Sequence, residues 1–201
     1  MNISFDDFRQ LLISCRSVRR FDAARPVGAD ILRQLVECTR YCPSGRNLQP
    51  LRYRPVSTPR ECAAIFPSLL WAGYLKDWDG PAPDERPTAY LVQCLDTTLT
   101  ESLLCDDGLQ LEAIALAART LGISSCIIKA FNAPAIAEAL SIPAELKPRY
   151  ILALGYPKEH VVIEDLPAPS HSLPIEYWRT PDATHHVPKR PLSDLLIPTS
   201  K

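Results

Sequence analysis

Three short stretches carry side chains suited to chemistry. The first is Cys15-Arg16-Ser17-Val18-Arg19-Arg20-Phe21. Arg16, Ser17 and Arg19 join two delocalised cations to a hydroxyl, a set suited to a phosphate and an electron-rich ring system. A basic cluster behind a helix also complements the negative end of its dipole, so the stretch reads equally as a helix terminus. The second is Pro43-Ser44-Gly45-Arg46-Asn47-Leu48-Gln49-Pro50. Two prolines bracket residues that turn the backbone, and the amides and hydroxyl would suit the polar edge of a heteroaromatic ring or a plain loop. The third is the basic pair in Val187-Pro188-Lys189-Arg190, placed to close a phosphate site from another side.

What is missing narrows the field. No G-x-G-x-x-G or G-x-x-x-x-G-K-[ST] phosphate loop occurs, nor a G-x-S-x-G elbow or an H-E-x-x-H pair. The histidines (160, 171, 185 and 186) all fall late in the chain and read as solvated loop residues, without the partners that acid–base work needs. Seven scattered cysteines (15, 38, 42, 62, 94, 105 and 126) read as reduced thiols used as small hydrophobes. Cys38 and Cys42 stand one helical turn apart, but no converging ligands accompany them, so no metal site is expected.

The balance of 22 Lys+Arg against 23 Asp+Glu leaves a net charge of -1, which argues against a nucleic-acid partner. The 201 residues, 46% of them hydrophobic, suffice for one well-buried domain. The first residues carry no basic and apolar leader pattern, and no apolar run reaches the ~20 residues of a membrane span. A cytoplasmic location is the expectation.

These groups need elements to hold them. Ser4 is placed to cap a first helix, with Phe5, Phe8, Leu11, Leu12 and Cys15 at helical spacing. A second helix is predicted over 30–39, and Thr58-Pro59-Arg60-Glu61 has the form of a capping-box start for a third. Residues 88–95 read as a buried strand. The segment 101–121 leaves almost no polar face, with Gly122 placed to end its helix; such a helix must be central or shared with a second subunit. A strand over 123–128, a helix opened by Asn132-Ala133-Pro134 and a strand over 149–156 complete the core. Beyond Tyr156, eight of the chain's 20 prolines stud a segment of little periodicity. Proline denies it regular helix, while Tyr177, Trp178, Leu195 and Ile197 make it too apolar for plain disorder. It reads as an extended arm (157–201) belonging to the same domain as the core (1–156).

Taken in order, Arg16-Ser17-x-Arg19, Pro43-Ser44-Gly45-x-Asn47-x-Gln49-Pro50, Leu121-Gly122-Ile123, Cys126-Ile127-Ile128-Lys129-Ala130-Phe131, Leu154-Gly155-Tyr156-Pro157 and Val187-Pro188-Lys189-Arg190 resemble the FMN-dependent nitroreductase family over nearly the whole chain. The resemblance implies an α+β, three-layer homodimer: a central, mostly antiparallel sheet flanked by helices, with swapped C-terminal arms and two FMN sites at the interface. By position, Arg16, Ser17 and Arg19 would meet the phosphate, the ribityl chain and the N1/O2 edge of the flavin. Ser44, Gly45, Asn47 and Gln49 would face the ring from the partner subunit. Ile127, Ile128 and Lys129 would approach N5, and Lys189 with Arg190 would bind phosphate. Trp71 and Tyr74, with Trp78 nearby, would stand beside a substrate pocket or pack in the core.

The implied activity is reduction of nitroaromatic, quinone or similar acceptors by NADH or NADPH, in ping-pong fashion through flavin N5, with no indispensable protein acid or base. A flavin store or sensor with little turnover, or another flavin reaction on the same scaffold, are the alternatives. Two positions depart from the family. Cys15 stands where many relatives have an additional arginine, for which Arg20 or Arg25 would have to compensate. Lys129 stands where glycine is frequent.

Overall fold

The structure is a computed structural model and describes residues 3–197. The reading of the leaderless start touches Met1 and Asn2, and the last proline of the arm is Pro198; both lie outside the described residues. Four strands form the main sheet: β1 (Leu51–Val56), β2 (Ala89–Asp96), β3 (Ser124–Ile128) and β4 (Leu146–Gly155), in the order β1-β2-β4-β3, all antiparallel. β2 is central and buried on both faces, so it reads as a continuous apolar run without alternation.

Helices cover both faces. On one side α2 (Ala29–Cys38) and α4 (Asp106–Thr120) bury Leu32, Leu35, Leu111 and Ile114 against Leu91, Leu152 and Leu154. On the other side α3 (Pro59–Ile65) and α5 (Ala133–Ala139) bury Ile65 and Ile136 against Val92 and Ile151. Gln93, fully buried in β2, donates to the Tyr53 hydroxyl at 2.8 Å, which donates to Gln110 Oε1 at 2.9 Å, tying β1, β2 and α4 through a polar relay. Burial pushes the Tyr53 phenol up, so it remains a neutral donor.

The helix ends follow local rules. Ser4 caps α1 (Phe5–Ser14) in a reciprocal box with Asp7, Thr58 accepts the Glu61 N–H at 3.2 Å, and Asn132 accepts the Ala135 N–H at 3.2 Å. Gly122 stops α4 with φ +73, a backbone state that glycine adopts without strain. One expectation needs correction. The helix in 101–121 begins only at Asp106, because 101–105 form a loop. α1 packs against α4 with Leu11 and Leu12 half-buried, while none of its residues is fully buried and Phe5 is 77% exposed.

The proline-rich segment also differs from a simple extended run. It folds into a second sheet of β5 (His160–Asp165), β6 (Trp178–Arg179) and β7 (Thr184–Lys189), in the order β5-β7-β6, with β5 and β7 parallel. Pro188 of β7 lies beyond the reach of the two-residue β6, so β7 is locally an edge there and accepts a proline. A four-residue helix, α6 (Leu192–Leu195), follows. No helix among the described residues is long and apolar enough to cross a membrane.

Candidate functional site

The segment after α1 runs along the free edge of β3. Ser17 bridges Ser125, and the Val18 N–H donates to the Ser125 carbonyl at 3.0 Å. Phe21 then crosses to the end of β4, where Gly155 lets its ring pack; a Cβ on that glycine would come within 2.9 Å of the ring. Val18 and Phe21 are the buried anchors of this run, and Arg16, Ser17 and Arg19 are placed between and before them.

Arg16 and Arg19 meet different fates. Arg16 lines a cavity of about 250 Å³ at the β3 edge, together with Ser14, Arg119, Ser124 and His160. Its guanidinium donates to the Leu12 carbonyl at 2.8 Å, and its Nε is buried with no hydrogen-bond partner. Arg119 donates to Ser14 Oγ at 3.2 Å. Glu159 also borders this cavity, but its carboxylate is already engaged by the Arg19 N–H and, at 2.8 Å, by Arg179. The cavity thus presents unneutralised guanidinium groups, a donor set for an anion.

Arg19 instead belongs to the arm. Its Nη1 lies 3.1 Å from His185 Nε2, and its guanidinium carbon stands 4.6 Å from the centre of the Tyr177 ring. His185 is fully buried, contrary to the solvated histidine expected from sequence. Burial, and then the charges of Arg19 and Arg179, hold its pKa down to about 4, so the ring is neutral and Nε2 accepts from Arg19.

Arg119 is the residue that sequence reasoning missed. It sits thirteen positions after Asp106 on α4, and nothing local distinguishes it from a surface helix residue. Together with Arg16 it acts electrostatically on the neighbouring Cys15 thiol. Arg20 pairs with Glu85 at 2.6 Å, and Arg25 stacks 3.6 Å above Tyr156. Cys15 itself is a thiol raised in pKa by burial and by Glu112.

The remaining expected residues are not gathered at this cavity. The Gly45 N–H donates to Asp106 Oδ1 at 3.1 Å, at the start of α4, whereas Arg119 lies near its end. At 1.5 Å per residue the two are separated by about 20 Å. Ser44 Oγ accepts the Gln49 N–H at 2.9 Å, and the Gln49 amide reaches back to Asn47 at 3.2 Å, leaving both amides exposed. Ile128 is buried in β3, Ile127 is exposed on it, and Lys129 Nζ donates to the Arg149 carbonyl at 3.1 Å over the Tyr150 ring. Lys189 is exposed on β7, while Arg190 is tied to the Ser170 carbonyl at 2.5 Å. Trp71 is a core residue that also borders a shallow groove. Tyr74 packs edge-on to Tyr177, and Trp78 lies under Arg179 at 4.5 Å. No cluster of metal-ligating side chains occurs among the described residues.

An α/β/α sandwich of one four-stranded antiparallel sheet, with a basic cavity at its β3 edge and a separate polar loop at the far end of α4, defines an α+β fold. The family model described as the nitroreductase family matches residues 14–80 and 103–156, more than half of the sequence, and the chain belongs to that family. The fold is also that of solved structures of low sequence identity. A nitroreductase family protein from Clostridium difficile is 20% identical, with all of both chains covered and a TM-score of 0.64. An FMN-dependent nitroreductase from Clostridium difficile is 19% identical over 75% of this chain and 87% of that one, with a TM-score of 0.60. An NADPH:FMN oxidoreductase from Vibrio harveyi, solved with NAD+, is 18% identical over 75% of this chain and 69% of that one, with a TM-score of 0.57.

Proposed function

We propose that this chain is a cytoplasmic, homodimeric FMN-dependent oxidoreductase that uses NADH or NADPH to reduce nitroaromatic, quinone or similar acceptors. The observation that carries the reading is the cavity at Arg16 in a member of the nitroreductase family: a concave site whose guanidinium groups lack a protein anion. Its donor chemistry fits the phosphate end of FMN. Relatives of the same fold bear the names of an FMN-dependent nitroreductase and an NADPH:FMN oxidoreductase.

Each group then has a task. Arg16 and Arg119 would hold the phosphate, and Ser17, exposed beside them, would donate to the polyol chain. FMN, when bound, would supply the hydride chemistry, taking electrons from the nicotinamide and passing them to the acceptor in alternate steps. Ile127 and Ile128 would wall the ring with β3, and Lys129 would take part through its backbone, since its ammonium is held by the Arg149 carbonyl. Ser44, Gly45, Asn47 and Gln49, about 20 Å along α4, would serve the site of a second copy. Three features favour that copy: the uncovered side of α1, exposed Leu109 on α4, and exposed Leu192, Leu195 and Leu196 at the end of the arm. Core and arm would work as one domain, with the arm reaching the partner.

One observation favours the reading of a flavin-binding protein with little turnover. The guanidinium of Arg19, which would stabilise charge near N1, is taken by His185 and Tyr177. A single experiment separates the two. The purified, dialysed protein should show a flavin spectrum that bleaches rapidly on anaerobic addition of NADH or NADPH. A flavin spectrum that persists with both reductants would leave the low-turnover reading, and colourless protein that refuses added FMN would overturn both.

A further inference from the structure

We infer a second binding site, for a small planar monocarboxylate, in a cavity that the proposed redox chemistry does not use. About 270 Å³ of space opens between α3, the turn at Pro83–Glu85 and the start of β2. In the sheet order, β4 separates β2 from β3 and from the Arg16 cavity at its free edge, so the two cavities are distinct.

The cation of this cavity is Arg86. Its guanidinium carbon stands 3.9 Å from the centre of the Phe66 ring, which fixes the plane of the fork. Acidic residues crowd this stretch, yet each is taken elsewhere: Glu85 by Arg20 at 2.6 Å, Asp84 by Lys158 at 2.7 Å, and Glu61 by Arg54. Among the described residues Arg86 has no ion-pair partner, and its Nε is buried without a hydrogen bond. A guanidinium that is stacked, half-buried and unneutralised is prepared for a planar anion, which it can bind in bidentate fashion.

The rest of the cavity selects the body of that ligand. Tyr90 supplies an almost fully buried aromatic wall, and prolines at 26, 59, 83 and 87 surround the opening. Proline walls do not rearrange, so little ordering cost accompanies binding. Cys62 adds a thiol that donates to the Thr88 carbonyl at 3.5 Å; burial pushes its pKa up to about 11, so it is a neutral wall and not a nucleophile. The volume lies just under the range of roughly 300–1,000 Å³ typical of drug-sized pockets. It suits one ring or branched chain bearing a carboxylate.

Benzoate is the probe, with benzyl alcohol as its neutral counterpart, followed by ligand-observed NMR on the protein as purified. Benzoate should bind saturably and benzyl alcohol should not. Arg86→Gln should weaken benzoate by about tenfold or more, the scale of a charge-assisted contact. Ala63→Leu, at an exposed lining position on α3, should block the cavity without touching the charge. Both variants should keep the flavin content of the wild type, so failure here is distinct from failure of the redox reading. Absence of saturable benzoate binding, equal binding of benzyl alcohol, or undiminished binding to Ala63→Leu would overturn the proposal. Should Arg86→Gln not fold, the side-chain 15N signal of Arg86 in the wild type decides: it shifts with benzoate, or the site is refuted.

Discussion

The two ends of α4 carry two polar clusters, and they are built differently. At the C-terminal end, Arg119 and Arg16 meet over a concave floor backed by β3, and the groups around them are held by the sheet. At the N-terminal end, the 44–49 loop is held by the Gly45 N–H on Asp106 and by the Arg52 guanidinium on the Gln49 carbonyl, and Arg46, Asn47 and Gln49 all have φ near +50. Non-glycine residues in that region store strain. The first end is a basic cavity with a buried, unpartnered Arg16 Nε; the second is a strained loop whose Gln49 amide donates back to Asn47. A strained polar loop becomes useful when something is laid against it, which is why the proposed function assigns it to the site of a second copy.

The sharpest way to break this comparison is to disable one end at a time. Arg16→Ala and Asn47→Ala should each strongly reduce FMN retention and NAD(P)H-dependent turnover. If the halves serve one site across two subunits, denaturing and refolding the two variants together should restore about a quarter of the wild-type sites, the statistical share in mixed dimers. Turnover of the mixture no better than the mean of the separate variants would show that both ends serve a site within one chain.

A smaller effect concerns the arm, where His185 separates the two arginines of the first motif. The unfolded ring takes a proton near its ordinary 6.5, the folded one only at about 4. The neutral, buried state therefore contributes stability that is complete above pH 6.5 and is lost as the pH falls towards 4. The loss should be of order 2–3 kcal/mol, read as a lower urea midpoint at pH 4.5 than at pH 7. His185→Gln keeps an acceptor for Arg19 and should flatten that step; an unaltered pH dependence would detach His185 from the arm's stability.

The smallest expected effect is at Lys129. Its ammonium is bonded to the Arg149 carbonyl at 3.1 Å and lies 4.4 Å from the Tyr150 ring centre. Lys129→Ala should leave the flavin midpoint potential unchanged. A drop in potential would mean that the side chain reaches the ring after all, and would sharpen the contrast between β3 and the loop.

Much of this was legible in the chain because it rests on short-range physics. Ser4, Thr58, Asn132 and Gly122 announce helix ends by hydrogen bonding and backbone sterics within a few residues. The apolar run at 89–95 announces a central strand, and the ordered series of motifs announced the family that residues 14–80 and 103–156 match. β1 escaped notice because Leu51-Arg52-Tyr53-Arg54-Pro55-Val56 mixes charge and proline, as a strand with only one neighbour tolerates. The small sheet of the arm escaped because its strands, too, mix charged residues and proline with apolar ones and lack a regular alternation.

The sequence by itself determined the cores of the elements, the placement of Arg16, Ser17 and Arg19 directly behind a helix, and the family. Only the tertiary structure decided which of those cations opens on a cavity. Arg16 and Arg19 are three residues apart and chemically identical, yet one opens on a cavity with Arg119 and the other is locked between Tyr177 and His185. The difference comes from partners that lie more than a hundred residues away along the chain. A guanidinium's role depends on which acceptors remain after the chain has folded, and no local pattern encodes that remainder.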